Sequence, residues 1–434
     1  MKAFFFLLCL SAQMVIVKAN TIKDSIVYPE IGDKCPEFVF NSIDNFGKDK
    51  VSLDDLKGRW VILDLWSSSC ASCVHAFPRV NALQRKYKDK VQVLLIGYDD
   101  DRIRPMFRRF KEKENLDLPC AYDTTLFSIF DVGSVPFTVV IDTNGIIRAI
   151  TADLDEEKIG AILAGGAPSM KKAYRLHDAK RTTLSPFPVN KNNDVDSNFA
   201  FQSVFSRYNY TIPISYLNSN LEDCIGILGK KGFEVSGVDL STLYRFAYFG
   251  KDGYSYGESL YGQVYNKPIL ELDDSSDFVT HAEKGLFCYS ISFPTSKSAK
   301  GEVMKMMQND LLSYFGYTVK VEDRSVPYWK VTATDESRKK LATRSTTRYF
   351  KGLPHIGFIA RDVSIKLLMS RICADHNDQI FIDETGIQGN IDIDMSDCFF
   401  LNLMDIKRAL RNNGLDLVQG HKIMRAIVIQ KKSL

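Results

Sequence analysis

Two cysteines, Cys70-Ala71-Ser72-Cys73, follow directly on the apolar run Trp60–Trp66. A short, nearly continuous apolar run is the mark of a strand covered on both faces. The spacing therefore puts two thiols where a buried strand hands over to a helix. A lone Cys-x-x-Cys is ambiguous, because it also forms half of a zinc site. The surrounding residues weigh against metal, since no second Cys-x-x-Cys and no close His pair completes a tetrahedral set. Asp64 lies six residues before Cys70, Pro78 five after Cys73, and a Val135-Pro136 step precedes the apolar strand Phe137–Ile141. Together these residues point to thiol–disulfide exchange, with no metal and no cofactor expected.

The attacking species in such chemistry is a thiolate, and a free cysteine with a pKa near ~8.5 is only slightly ionised at neutral pH. Placing Cys70 at a helix N-terminus aims unpaired N–H groups and the positive end of the dipole at its sulfur. Cys73, one turn further in, is then the shielded thiol that resolves a mixed disulfide formed by Cys70. His75, five positions from Cys70, points to another side of the helix and is expected at the surface. Cys35 and Cys120 each adjoin a proline and have no second thiol nearby, so they are expected as small packed residues.

The chain opens Met1-Lys2, runs apolar from Ala3 to Val17, and reaches Val17-Lys18-Ala19. One charge, a short apolar stretch and small residues at a cleavage point read as a secretory signal peptide over residues 1–19. The run falls short of the ~20 apolar residues that a spanning helix needs, and no later stretch is apolar enough to span. Export to the periplasm or cell envelope is the expectation, with no stable membrane span after processing. Lys2 and Lys18 leave with the signal, so 54 basic residues face 53 acidic ones. That balance supplies no electrostatic reason to invoke nucleic acid. Nine cysteines become eight once Cys9 is removed. Cys224, Cys288, Cys373 and Cys398 permit three pairings if all bond.

At 434 residues two domains are the natural expectation. From about residue 28 to 166, strand and helix alternate. Trp60–Trp66 and Val91–Gly97 are buried strands, Val74 to Tyr87 and Arg102 to Asn115 are helices, and Phe137–Ile141 with Ile146–Ile150 form a hairpin across Asp142-Thr143-Asn144-Gly145. Glu156–Leu163 closes the unit as a helix. Residues 167–198, with Pro168, Pro186, Pro188 and many lysines and arginines, read as a linker. Residues 199–434 change to helix followed by paired strands, the pattern of an α+β domain. Tyr317–Val321, Tyr328–Ala333 and Ala426–Gln430 are the clearest strands there.

The motifs Val61-Ile62-Leu63-Asp64-Leu65-Trp66 through Cys73, Pro78, and Gly133-Ser134-Val135-Pro136-Phe137-Thr138 resemble the exported thioredoxin-like reductases of the TlpA/ResA kind. Gly32-Asp33-Lys34-Cys35-Pro36-Glu37-Phe38 is similar to that family's entry into its first strand. The resemblance covers residues 28–166 and implies an α/β thioredoxin fold. It further implies Pro136 in cis, with the backbone of Val135 binding a substrate chain as an added strand. Asp64 matches the family's buried acid, whose raised pKa lets it relay a proton to or from Cys73. Trp66 matches the aromatic beside the site, and the resemblance implies that it contacts substrate together with Val135 and Pro136. Ser69 stands where relatives place a tryptophan before the first cysteine, which makes the docking surface smaller and more polar. The dipeptide Ala71-Ser72 lacks the proline that often tunes redox potential, so the direction of exchange stays open.

Residues from about 237 onward resemble a soil-associated bacterial domain of unknown function, most clearly in Val238–Tyr248 and Ile382–Asp392. Asp383, Glu384, Asp392 and Asp394 lack the loop spacing of a calcium site. The leading expectation is an exported oxidoreductase acting on disulfides of envelope proteins and recharged by a membrane electron donor. A docking protein with an auxiliary redox domain is the alternative. A thiol peroxidase ranks last, because that chemistry wants Pro and Thr where this chain has Leu63 and Ser67.

Overall fold

The strand Trp60–Trp66 explains the first half of the molecule. In the computed structural model, which describes residues 28–177, 202–208, 232–280, 285–292, 300–353 and 355–431, the N-terminal strands are β1 (Val39–Phe40), β2 (Ile43–Asp44), β3 (Val51–Ser52) and β4 (Trp60–Trp66). Side chains alternate across a strand. Val61, Leu63 and Leu65 accordingly enter one apolar layer while Ile62 and Trp66 enter the other. Asp64 shares its phase with Ile62 and Trp66.

Helix α1 (Ala71–Lys86) leaves β4 after a three-serine turn. It is followed by β5 (Val91–Gly97), α2 (Ile103–Glu114), β6 (Cys120–Tyr122), α3 (Thr125–Ile129), β7 (Phe137–Ile141), β8 (Ile147–Thr151) and α4 (Glu156–Leu163). The six-stranded sheet runs β2-β6-β5-β4-β7-β8. β4 is parallel to β5 and antiparallel to β7, and the second register sets Asp64 opposite Thr138. This is the expected α/β thioredoxin arrangement.

The N-terminal unit reaches beyond its expected end at residue 166. Ala173 and Arg175 are buried, Arg175 pairs with Glu30, and Val132 and Thr151 bridge to Arg175 and Lys172. Gly133 permits this approach, since a Cβ there would stand 2.5 Å from the Tyr174 ring. At least through His177, the stretch expected as a linker is packed chain. The rest of that stretch, Cys224 and the signal segment lie outside the described residues.

The second half has a separate α+β architecture. Its strands and helices are β9 (Gln202–Arg207), β10 (Gly232–Asp239), α5 (Leu240–Phe249), β11 (Ile269–Glu271), β12 (Leu286–Ser292) and α6 (Lys300–Phe315). There follow β13 (Tyr317–Ala333), α7 (Asp335–Leu341), β14 (Tyr349–Leu353), β15 (Ile356–Val363) and α8 (Ile365–Ala374). The last elements are β16 (Phe381–Glu384), β17 (Ile391–Asp394), α9 (Leu403–Asn412) and β18 (Leu415–Lys431). They form sheets β10-β12-β9, β11-β18-β13-β16 and β14-β15-β17.

Two strands expected at Tyr317–Val321 and Tyr328–Ala333 are one strand. β13 pairs with β18 without a break from Tyr317 with Lys431 to Ala333 with Leu415. Backbone pairing carries the ladder through polar Glu322–Ser325, where Arg324 bridges Glu322 and Glu271. Pro327 is tolerated because the other edge of β13 pairs with β16 only from Trp329 onward.

The halves touch. Phe110 on α2 meets Phe399 edge-on at 4.8 Å, and Ile356 and Phe399 are buried in the apolar layer formed by α1 and α2. Lys113 lies over the Phe399 ring and pairs with Asp405, while Arg109 donates to the Ser396 carbonyl. Truncating a buried ring costs transfer energy and leaves a cavity. Phe399→Ala should therefore lower stability by about 3 kcal/mol in urea unfolding of the whole chain. A loss within ~0.5 kcal/mol would show that this contact contributes little to the fold.

Candidate active site

Cys70 is the N-cap of α1, and its Sγ accepts the Cys73 N–H at 3.2 Å. The two cysteines are joined as a disulfide and both are buried, at 8% and 4% exposure. The turn that delivers them is Ser67-Ser68-Ser69. Ser69 is exposed and its hydroxyl lies 3.2 Å from that of Ser67. Ser68 is buried and donates to Asp100 at 3.1 Å. Asp100 also accepts the Arg102 and Ile103 N–H groups at the start of α2. The thiol-bearing turn is thus tied to the neighbouring helix, a link that sequence reading missed. Its one signal was the Asp99-Asp100-Asp101 run, which is cap chemistry.

Asp64, Cys73, Pro136 and Thr138 line one cavity of about 220 Å³ on the α1 side of the sheet. That volume, with Asp64, Thr138 and Asp153 among an otherwise mostly apolar lining, admits water. Thr138 donates to Asp64 at 3.2 Å. Burial pushes the Asp64 carboxyl up to about 6, against the opposing pull of the Thr138 hydroxyl and the Arg79 guanidinium. The Val135–Pro136 peptide is cis. Val135 is half-buried between the two apolar layers.

Trp66 does not stand where substrate contact requires. It is wholly buried, edge-on to Phe77 at 5.0 Å and packed near Phe107. The phase that sends Asp64 toward α1 sends Trp66 under the helix, so the ring is part of the floor and the expected substrate contact is corrected. His75 is exposed, as expected, and lies within electrostatic reach of His355, Asp375 and His376 of the second half. Cys35 and Cys120 are buried, and burial pushes both thiols up to about 12, so neither is a ready nucleophile. Cys288, Cys373 and Cys398 are free and buried.

A larger cavity, about 680 Å³, lies in the second half between Arg245, Tyr256, Tyr261 and Gln379. Arg245 there donates to the carbonyls of Asp252 and Asn266 and to Thr242, bonds that hold the wall together. Asp383 and Asp392 are engaged by Thr385 and by Thr343 with Asp362. Among the described residues no group of three His, Cys, Asp or Glu side chains is placed to hold a metal.

Residues 31–150 match the AhpC/TSA family model. The chain is 32% identical over 137 residues to the thiol-disulfide oxidoreductase ResA of Bacillus cereus, covering 77% of that protein and 31% of this one. The chain belongs to the ResA family of thiol-disulfide oxidoreductases. The thioredoxin-like protein YneN of Bacillus subtilis is 29% identical over 121 residues, with 69% of it and 27% of this chain covered. A solved DsbF homologue from Corynebacterium diphtheriae aligns at 22% identity and a TM-score of 0.28, covering 91% of that protein and 32% of this chain. The ResA-type unit is therefore an enzyme of thiol–disulfide exchange, and the Cys70–Cys73 disulfide has the spacing that chemistry uses.

The Asp64 environment sets a stability prediction. In the unfolded chain an aspartate releases its proton near ~3.9, whereas the folded carboxyl holds it to about 6. Between these values the folded state binds more protons, so stability falls as pH rises and levels off above the folded value. Asp64→Asn removes that loss. It should exceed wild type by roughly 2–3 kcal/mol at pH 8 and match it near pH 4 in denaturant titrations. Equal stabilities at pH 8 would show that the carboxyl is solvated.

Proposed function

We propose that this protein is exported and exchanges disulfides in envelope proteins, with Cys70 as nucleophile, Cys73 as resolving thiol and Asp64 as proton relay. The observation that carries the reading is the shared cavity: it brings the carboxyl of β4 beside the inner cysteine of a pair that opens a helix. In the reducing direction the Cys70 thiolate attacks one sulfur of a substrate disulfide. That bond breaks, a mixed disulfide forms, and the first substrate thiolate leaves. Asp64 in its carboxylate form takes the proton of Cys73 through the cavity. The Cys73 thiolate then attacks the Cys70 sulfur, the second substrate thiolate leaves, and two electrons have passed from the cysteine pair to the substrate. A membrane electron donor returns the pair to its dithiol form.

The Val135 backbone beside cis-Pro136 is the proposed rest for the substrate strand, whose unpaired amides it would meet as an added strand. With exposed Ser69 in place of a large apolar residue, the redox face alone has little apolar grip. The second half, packed against α1 and α2, supplies the remaining partner-docking surface in this reading. The short apolar segment at residues 1–19 supports export, and no described helix is long and apolar enough to cross a membrane.

Cys70→Ser should abolish dithiol-driven reduction of a model disulfide, and Cys73→Ser should accumulate mixed disulfides that mass spectrometry detects. Wild-type turnover by Cys70→Ser would overturn the assignment. Asp64→Asn should slow turnover by roughly tenfold or more and remove the step in the pH–rate profile near its own titration. A profile that keeps that step would leave Asp64 a structural residue.

A further inference from the structure

The cavity shared by Asp64 and Cys73 has a third chemical participant. On α1, Cys73, Ala76, Arg79, Val80 and Leu83 all line it, a stripe at helical spacing that brings Arg79 onto the cavity face two turns beyond Cys73. Ala76 stands between them and is too small to fill the space. Arg79 forms no ion pair or hydrogen bond with any described residue, unlike Arg85 and Lys86 on the same helix, which bind Asp117 and Glu156. The other charged wall is already neutralised: Asp153 is paired with Lys158 at 2.8 Å. Thr138, from β7, contributes only a hydroxyl. The uncommitted charge facing Asp64 is therefore the Arg79 guanidinium.

We propose that Arg79 is a positioning residue for the proton relay, supplying the counter-charge that keeps the Asp64 carboxylate available beside Cys73. The inference rests on the relay role given to Asp64. A buried carboxylate with no cation nearby holds its proton more tightly, and a carboxyl already protonated cannot accept one from Cys73. Arg79 is an exposed residue of α1 that also lines the cavity, so its charge stays within reach of water while it acts on Asp64. The buried acid thus gains a counter-charge without a second buried ion.

The test uses the full chain with Arg79→Met, which keeps the stem and removes the charge, and Arg79→Lys, which restores it. The titration of the Asp64 carboxyl carbon is followed by NMR in each, alongside the pH–rate profile with a model disulfide. Arg79→Met should move both midpoints upward by about half a unit or more, and Arg79→Lys should return them toward wild type. An Asp64 titration that is the same in Arg79→Met and wild type would overturn the proposal. Asp64→Asn separates the two ideas. If it leaves the pH–rate profile intact, the relay itself fails. If it removes the step while Arg79→Met moves neither midpoint, the relay stands and Arg79 has no part in it.

Discussion

A carboxyl group in the middle of the central strand is the constraint around which the redox unit is arranged. Burying an ionisable group costs several kcal/mol unless it is bonded or neutralised, and β4 places Asp64 among Ile62, Leu63, Leu65 and Trp66. The structure meets that cost with a Thr138 hydroxyl from the paired strand, a cavity that admits water and a cation on α1. The same alternation that sends Asp64 to the α1 side sends Leu63 and Leu65 to the opposite layer. A one-residue change of phase in β4 would remove the acid from the site and put leucines in its place.

The thiol pair depends on a second constraint, the passage from strand to helix. Cys70 can cap α1 because three small polar residues turn the chain in the space available, and Ser68 anchors that turn to Asp100. Asp100 in turn caps α2, so the two helices that flank the thiols share one hydrogen-bonded corner. Farther along α2, Arg109, Phe110 and Lys113 contact Ser396, Phe399 and Asp405. The second half therefore packs on the very layer of helices that presents the cysteines. That region shares an apolar layer with α1 and α2, the helices beside Cys70.

Much of this was legible in the residues. The continuous apolar runs of β4 and β5 marked a doubly covered sheet, and Cys70, Cys73, Asp64 and Pro136 were identifiable by type and spacing. Other features were not legible, for reasons that can be stated. Trp66 and Asp64 share a strand face, but burial depth differs along that face, and only packing under Phe77 shows that the ring is enclosed. The 17-residue strand β13 contains Glu322, Asp323, Arg324 and Pro327, which no apolar pattern would join. Its continuity comes from the backbone ladder with β18, nearly a hundred residues later. The segment around Ala173 and Arg175 has linker composition, yet buried Arg175 pairs with Glu30 at the surface and holds it to the first domain.

The sequence by itself determined the chemistry: two thiols at a helix start, an acid in an apolar strand and a proline before the next, because local pattern dictates secondary structure and the phase of each side chain. Only the tertiary structure decided which groups share a space. The meeting of Ser68 with Asp100 and of Phe110 with Phe399 depends on how helices lie on the sheet and how the second half lies on the helices. Those contacts join residues far apart in the chain, through packing that no single stretch of sequence encodes.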